Sequence, residues 1–193
     1  MSTSSVAAVL AELLCPLVGR AFQVPGAGNL PFISAWSERG LPWFTALEEK
    51  RGLTMAQGFA RVSGRLALMT TTAGPGVTNL ATGLALALRE QTPVFVVSGQ
   101  TPSSFSARLP VQELDNTSFA RDLTLRARLL THPEQLSYWT SELVRVALDR
   151  RHPGPVLLSV PADLWQRSSE RASPIAFAQP FDKQQATASA QLT

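Results

Sequence analysis

The stretch that decides the fold is LALMTTTAGPGVTNLATGLALALREQTPVFVVS, residues 66–98. Residues 66–72 are rich in β-formers, residues 73–76 carry a turn signal, and the small and apolar residues 77–89 predict a helix. Residues 93–98 form a nearly continuous apolar run, which is typical of a strand buried on both faces of a sheet. A strand, a helix and a second buried strand in this order predict a parallel βαβ unit with a right-handed crossover.

The alternation of strands and helices continues on both sides of this unit. The further predicted elements are a helix over 4–18, a strand over 20–24, a helix over 31–37 capped by Asn29, a short strand over 43–47, a helix over 48–63 ended by Gly64, a strand over 125–130, a helix over 133–150 and a strand over 155–160. We therefore predict the α/β class, with a parallel β-sheet covered by helices on both faces.

Length and composition define the domain organisation. The 193 residues, 45% of them hydrophobic, suffice for one domain with a buried core. After Trp165 the sequence becomes rich in Ser, Ala, Gln and Pro. We therefore predict a domain over residues 1–165 and a mobile polar tail or linker stub over residues 166–193. Charged residues make up only 16% of the chain, below the roughly 25% that is typical, which indicates a surface covered by a partner.

Charge and cysteine content argue against several classes of protein. The net charge of +3 and the pI of about 9.7 would suit nucleic acid, but the basic residues are scattered singles and pairs. The single cysteine, Cys15, excludes an internal disulfide framework and a Cys-rich zinc site, and it indicates a reducing, cytoplasmic compartment. No apolar run approaches the ~20 residues of a membrane span. We predict neither a nucleic-acid partner nor a membrane partner.

The helix predicted over residues 48–63 carries two adjacent carboxylates of interest. One stripe of this helix begins at Glu49, and a neighbouring stripe begins at Glu48. The first continues with Leu53, Ala56 and Ala60, and the second with Gly52, Met55, Phe59 and Val62. A carboxylate that begins such a stripe is removed from water and can share a proton with a closely approaching group. Acidic residues in a first helical turn also complement the helix dipole, so spacing alone leaves both interpretations open.

Two other segments have the residue types of a binding site. The turn Gly74-Pro75-Gly76 precedes a helix, whose free N–H groups can bind an anion. The dinucleotide-binding fingerprint is Gly-x-Gly-x-x-Gly, and this sequence has Asn79 in place of the third glycine. A tight strand-to-helix turn is therefore the simpler interpretation. In the irregular segment 101–121, Glu113 and Asp115 supply only two acids, too few for a metal site, so a solvated loop is the default.

Taken in order, several segments resemble the thiamine-diphosphate-dependent enzymes of the acetolactate synthase and benzoylformate decarboxylase type. They are AFQVPG at 21–26, NLPF at 29–32, EKRGLTMAQGFAR at 49–61, TAGPGVTN at 72–79, PVFVVSGQTP at 93–102, QE at 112–113 and GPVLL at 154–158. The resemblance covers roughly residues 4–165 and implies the fold of the family's pyrimidine-binding domain.

The resemblance also implies roles for single residues. Glu49 matches the family's catalytic glutamate, which hydrogen-bonds ring nitrogen N1′ of the cofactor's aminopyrimidine and promotes the imino tautomer that deprotonates the thiazolium carbon. The other implied cofactor-binding residues are Pro25, Gly26, Thr72, Gly74, Pro75, Gly76 and Asn79. The implied substrate-pocket residues are Ala27, Gly28 and Gln112. Glu48 stands where relatives usually carry His.

Relatives also carry a central domain and a diphosphate-binding domain, which holds Mg²⁺ through a Gly-Asp-Gly signature. This sequence lacks that signature, so no metal ligands are predicted in it. The resemblance implies a heteromer divided like sulfopyruvate decarboxylase, in which a second polypeptide supplies Mg²⁺ and shares the thiamine diphosphate.

The implied reaction is the decarboxylation of a 2-oxoacid. Benzoylformate-type decarboxylases carry Ser and His at positions that match Ala27 and Thr70. Their absence favours ligation of the resulting enamine to a second carbonyl, as in acetolactate synthase, although those enzymes carry Phe at the position of Val111.

Two other functions stay open. A non-catalytic, truncated relative that binds a partner is favoured by Glu48 in place of His and by the missing domains, and disfavoured by the presence of Glu49. Nucleic-acid binding rests on the pI alone.

Overall fold

The computed structural model describes residues 3–105, 108 and 110–170, and it centres on a six-stranded parallel sheet. The strands are β1 (Thr3–Ser5), β2 (Val18–Gln23), β3 (Trp43–Thr45), β4 (Leu66–Thr71), β5 (Val94–Gln100), β6 (Arg126–Leu129), β7 (Val156–Pro161) and β8 (Ser168–Glu170). The sheet has the order β3-β2-β4-β5-β7-β6, and β1 pairs with β8 in a separate antiparallel ribbon. The predicted α/β class with a parallel sheet is confirmed.

Helices cover both faces of the sheet. They are α1 (Val6–Leu14), α2 (Leu30–Ser37), α3 (Glu49–Ser63), α4 (Pro75–Thr78), α5 (Ala81–Arg89), α6 (Asn116–Ala120) and α7 (Leu136–Ala147). Successive residues of β4 and β5 contribute to two different cores, because side chains alternate between the faces of a strand. Leu68 and Val97 belong to the core that contains residues of α1, α2 and α7, whereas Met69 and Val96 belong to the core that contains residues of α3 and α5.

Some helix boundaries differ from the predictions. The helix predicted over 77–89 is divided into α4 and α5, because the Leu80 amide bonds the Val77 carbonyl and tightens the turn between them. The helix predicted over 133–150 begins with a 3₁₀ turn at Pro133–Gln135 and ends at Ala147. Across the part of the chain that the structure describes, no helix has the length and apolar character needed to cross a membrane.

The folded part of the chain continues beyond Trp165. Strand β8 pairs with β1 in the register Thr3↔Glu170, and the Ser169 hydroxyl donates to the Pro133 carbonyl at 3.3 Å. The predicted start of the tail at residue 166 is therefore too early. Residues 168–170 are polar and show no apolar periodicity, and they form a strand because the distant strand β1 pairs with them. The rest of that predicted tail, residues 171–193, lies outside the described residues.

The carboxyl ends of β2, β4, β5 and β7 meet at one edge of the sheet. In open α/β sheets, ligands bind in the crevice outside this edge. The turn after β2, the turn after β4, the loop after β5 and the first residue of α3 all lie here, as the contacts below show.

Candidate active site

Glu49 is a buried carboxylate at this edge. It is the first residue of α3 and is 8% exposed, and the apolar residues that follow it on its stripe, Leu53, Ala56 and Ala60, are fully buried. The side chain of Glu48 is 49% exposed, and its Oε1 lies 3.1 Å from Nε of Arg51. Helical spacing did not distinguish the two carboxylates, and the structure shows that Glu49 is the buried one.

Two side chains hold the carboxylate of Glu49. The Thr71 hydroxyl donates to Oε1 at 3.2 Å, and the Asn79 amide donates to Oε2 at 3.0 Å. Thr71 ends β4, and Asn79 directly follows α4, so the strand and the turn after it orient the glutamate together. An ionised carboxylate has about four acceptor positions, so Glu49 can accept further hydrogen bonds from a ligand. The N-terminus of α3 favours negative charge at this position.

Close backbone packing surrounds this carboxylate. A Cβ at Gly76 would lie 2.5 Å from Thr71 Oγ1 and 3.5 Å from Glu49 Oε1. A Cβ at Gly26 would lie 2.7 Å from the Cβ of Thr72. Only glycine permits these approaches, so the turns after β2 and β4 touch each other beside Glu49.

The turn after β4 is joined to the loop after β5. Gly74 has φ +57°, and a Cβ on it would lie 2.4 Å from the carbonyl oxygen of Gln112, which itself has φ +73°. The buried side chain of Asn116 accepts from the Gly74 amide at 3.4 Å and donates to the Gly99 carbonyl at 2.9 Å and to Ser159 Oγ at 3.0 Å. This loop is therefore part of the site and not a freely solvated connection.

Asp115 is a helix cap in this loop. Its carboxylate accepts from the Ser118 hydroxyl at 2.6 Å, the Ser118 amide at 2.9 Å and the Thr117 hydroxyl at 2.7 Å. These bonds, those from Ser118 first, lower the pKa of Asp115 from 3.8 to about 2. Among the residues described, no group of three or more His, Cys, Asp or Glu side chains could hold a metal ion.

Asn29 braces the turn after β2 instead of capping α2 with its side chain. Its Oδ1 accepts from the Gly26 amide at 2.8 Å, and its Nδ2 donates to the Val24 carbonyl and to Thr70 Oγ1, each at 3.2 Å. Asn29 occupies the predicted N-cap position of α2, but its side chain makes no capping hydrogen bond, because its amide donates and accepts within the turn and on β4. Thr70 is fully buried and donates to the Val97 carbonyl at 2.9 Å, so its hydroxyl is already engaged inside the sheet.

Gly28 joins three parts of the site. Its amide donates to Thr72 Oγ1 at 3.3 Å, and its carbonyl accepts from the indole nitrogen of Trp165 at 2.8 Å. A Cβ on Gly99 would lie 2.5 Å from the Gly28 carbonyl oxygen, so the carboxyl end of β5 also packs against this turn.

The structure brings most of the predicted site residues together. The residues in contact around the two turns are Gly26, Gly28, Glu49, Thr72, Gly74, Gly76, Asn79 and Gln112. The predicted residues Pro25, Ala27 and Pro75 neighbour them in sequence and are exposed. Sequence reasoning missed Thr71, Asn116 and Trp165. Only Thr71 had a usable signal, a polar residue that ends an apolar strand next to the glycine turn.

The chain is similar to several known proteins. A family model described as the N-terminal TPP binding domain of thiamine pyrophosphate enzymes matches residues 4–119, more than half of the chain. The chain is 33% identical over 153 residues to the acetolactate synthase isozyme 2 large subunit of Escherichia coli K12, which covers 79% of this chain and 28% of that protein. It is 29% identical over 150 residues to the sulfoacetaldehyde acetyltransferase of Rhodobacter capsulatus, covering 78% and 25%. The chain thus spans about a quarter of the length of these relatives.

Solved structures with the same fold have similar descriptions. A thiamin diphosphate-dependent enzyme from Mycobacterium smegmatis superposes with a TM-score of 0.83 at 26% identity, over 90% of this chain and 34% of that one. A thiamine diphosphate-dependent 4-hydroxybenzoylformate decarboxylase from Rhodococcus jostii RHA1 superposes with a TM-score of 0.82 over 98% of this chain and 37% of that one. At 24% identity, the second likeness shows the fold alone.

Proposed function

The chain belongs to the thiamine pyrophosphate enzymes, whose N-terminal TPP binding domain it contains, and from this membership we propose its function. It is the pyrimidine-binding subunit of a two-chain enzyme that uses thiamine diphosphate to decarboxylate a 2-oxoacid and to ligate the product to a second carbonyl. The observation that carries this proposal is Glu49, a buried carboxylate held by Thr71 and Asn79 at the ligand-binding edge of the sheet.

The residues at this edge fit the aminopyrimidine of thiamine diphosphate. Glu49 retains acceptor capacity for a ring N–H, because each of its oxygens accepts a single hydrogen bond from the side chains of Thr71 and Asn79. Gly26 and Gly76 let the turns after β2 and β4 pack directly against the side chains of Thr72 and Thr71, which holds both turns close to the glutamate. When bound, thiamine diphosphate supplies a nucleophilic carbon and a sink for the electron pair that decarboxylation releases.

The chain's own contribution is to position a proton. Glu49 shares a proton with ring nitrogen N1′, and burial of its side chain keeps water from competing for that hydrogen bond. Thr71 and Asn79 fix the orientation of the carboxylate, so little reorganisation is needed when the ring binds. By the resemblance, Pro25 and Pro75 are assigned to cofactor binding, and Ala27, Gly28 and Gln112 to the substrate pocket.

A second polypeptide supplies the diphosphate-binding domain and Mg²⁺ in this proposal. Supporting it is an apolar surface on and before α3, where Met55 is 42%, Val62 87% and Leu47 89% exposed. A Cβ at Gly58 on the same helix would meet nothing within 4 Å, so the helix surface is open there. Met55 and Val62 lie seven residues apart on one side of α3, and exposed apolar side chains on one helix face are typical of a protein interface. The low charged fraction of the chain agrees with a covered surface.

The test is to purify the tagged chain from its native host and to identify what accompanies it. The proposal predicts a second chain with a Gly-Asp-Gly signature, bound thiamine diphosphate, and release of CO₂ from a 2-oxoacid by the complex. Analysis of the second product distinguishes ligation from release of an aldehyde. Val62→Glu on α3 is expected to weaken assembly. The matched control is Tyr138→Glu on α7, which covers the opposite face of the sheet; Tyr138 is 67% exposed, and this change should leave assembly unaffected. A chain that stays alone and without cofactor would favour the non-catalytic alternative.

A further inference from the structure

The turn Gly26–Asn29, here called the pocket turn, is held from a distant part of the chain. Trp165 donates its indole N–H to the Gly28 carbonyl at 2.8 Å across 137 positions of sequence. The amide of Gly28 bonds Thr72 Oγ1 at 3.3 Å, so this glycine is held on both sides. The bond from Trp165 is the shorter of the two, and it fixes the peptide plane that follows Gly28.

Trp165 is itself rigidly placed. It is fully buried, its ring stacks on Phe32 with centroids 5.9 Å apart and planes 20° apart, and its carbonyl accepts from the Ala7 amide at 3.2 Å. The same segment holds the loop after β5, because Asp163 Oδ1 accepts from the Ser103 amide at 2.8 Å. The segment after β7 therefore ties two loops of the site to the core.

A second tryptophan of the same core provides the contrast. Trp36 is 1% exposed and packs on Phe32 at a centroid distance of 6.1 Å and on Trp43 at 5.4 Å. Its indole nitrogen is buried and has no hydrogen-bond partner among the atoms that the structure describes. Trp165 and Trp36 belong to the same core and are equally buried. Only the indole N–H of Trp165 donates a hydrogen bond to the pocket turn.

We propose that Trp165 is a positioning residue for the pocket turn. Its indole N–H holds the Gly28 carbonyl so that Gly28 stays bonded to Thr72 and packed on Gly99. Without that bond, the pocket turn can move away from the ends of β4 and β5. Gly28, which is assigned to the substrate pocket, is then held less firmly. The assignment of the pocket turn to a 2-oxoacid site rests on the proposed function, but the role of Trp165 in positioning this turn does not.

The test compares Trp165→Phe with Trp36→Phe in the full chain by amide hydrogen exchange, measured by NMR. Both changes keep an aromatic ring and remove an indole N–H, but only the first removes a bond to the pocket turn. We expect exchange at the Gly28 amide, relative to Val96 in β5, to rise about fivefold to tenfold in W165F, as the loss of one hydrogen bond implies. In W36F this ratio should stay at its wild-type value. An unchanged ratio in W165F, or an equal rise in W36F, would overturn the proposal.

The wild-type protein gives a second measurement that does not depend on the folding of a variant. A hydrogen-bonded indole proton resonates downfield of one without a partner, so the Trp165 Nε1 proton should lie downfield of that of Trp36. The reverse order would contradict the bond.

In the assembled enzyme, W165F should raise KM for the 2-oxoacid about fivefold and leave kcat nearly unchanged, and W36F should change neither. Equal KM values in W165F and the wild type would refute the role in the pocket. If the assembled protein has no 2-oxoacid activity at all, the proposed function fails while the exchange experiment still decides the role of Trp165.

Discussion

Gly76→Ala perturbs the contact that orients Glu49. Gly76 is buried in α4, and its Cα faces the hydroxyl of Thr71, which donates to Glu49. The new methyl would lie 2.5 Å from Thr71 Oγ1, nearly 1 Å closer than an ordinary contact, and 3.1 Å from Thr72 Cγ2. The simplest relief is rotation of the Thr71 side chain, which breaks its hydrogen bond with Glu49.

The expected cost follows from these contacts. Overpacking a buried site lowers the free energy of unfolding by about 1 to 3 kcal/mol. Replacing Gly by Ala offsets a few tenths of a kcal/mol of this loss, because it reduces the conformational entropy of the unfolded chain. Thr71→Ala removes the hydrogen bond to Glu49 and a buried methyl group, together about 1 to 2 kcal/mol. In the double variant, the methyl group added at position 76 occupies the space of the missing hydroxyl. The two changes should therefore cost about 1 to 2 kcal/mol less together than the sum of the single variants.

The assay is urea unfolding of the wild type, both single variants and the double variant, followed by circular dichroism. We expect a favourable coupling free energy between positions 71 and 76. Additive effects, within about 0.3 kcal/mol, would refute the close contact between the turn and the strand.

Three further substitutions test other contacts of the structure. Gly58→Ala, where the added methyl meets nothing within 4 Å inside α3, should raise the unfolding free energy by about 0.5 to 1 kcal/mol in the same urea assay. Asp115→Ala removes the cap of α6 and should cost about 1 kcal/mol at pH 7. Because the folded pKa of Asp115 lies below its ordinary value, at about 2, this stabilisation is present above pH 4 and lost towards pH 2, so the difference in urea unfolding should shrink at pH 3. Asn116→Ala leaves the Gly99 carbonyl without its buried donor and should cost about 3 kcal/mol, whereas a loss below about 1 kcal/mol would contradict the hydrogen-bond network.

The fold could be predicted because its core signals are local. The apolar run in β5 and the turn at residues 73–76 specify a strand, a turn and a helix from neighbouring residues alone. Strand β8 could not be predicted, since its polar residues pair with β1 more than 160 positions away. The break between α4 and α5 depends on one tightened backbone turn that propensity does not encode.

The site could be predicted only in part, for the same reason. Helical spacing placed a carboxylate at the start of an apolar stripe, but burial was needed to distinguish Glu49 from Glu48. The roles of Asn116 and Trp165 depend on contacts across 42 and 137 positions, which periodicity does not report. Asn29 has a residue type that suits a cap, and the tertiary structure uses its amide elsewhere.

The catalytic role of Glu49 is tested by comparing Glu49→Gln with Glu48→Gln in the chain assembled with its diphosphate-domain partner. Both variants replace a carboxylate by an amide at adjacent positions, and only Glu49 is buried at the site. With assembly verified by size-exclusion chromatography, the rate of 2-oxoacid consumption with thiamine diphosphate is measured. We expect the rate to fall about a hundredfold or more in E49Q and to change by no more than about threefold in E48Q, because the ion pair of Glu48 is exposed. Full activity in E49Q would contradict the catalytic role of Glu49.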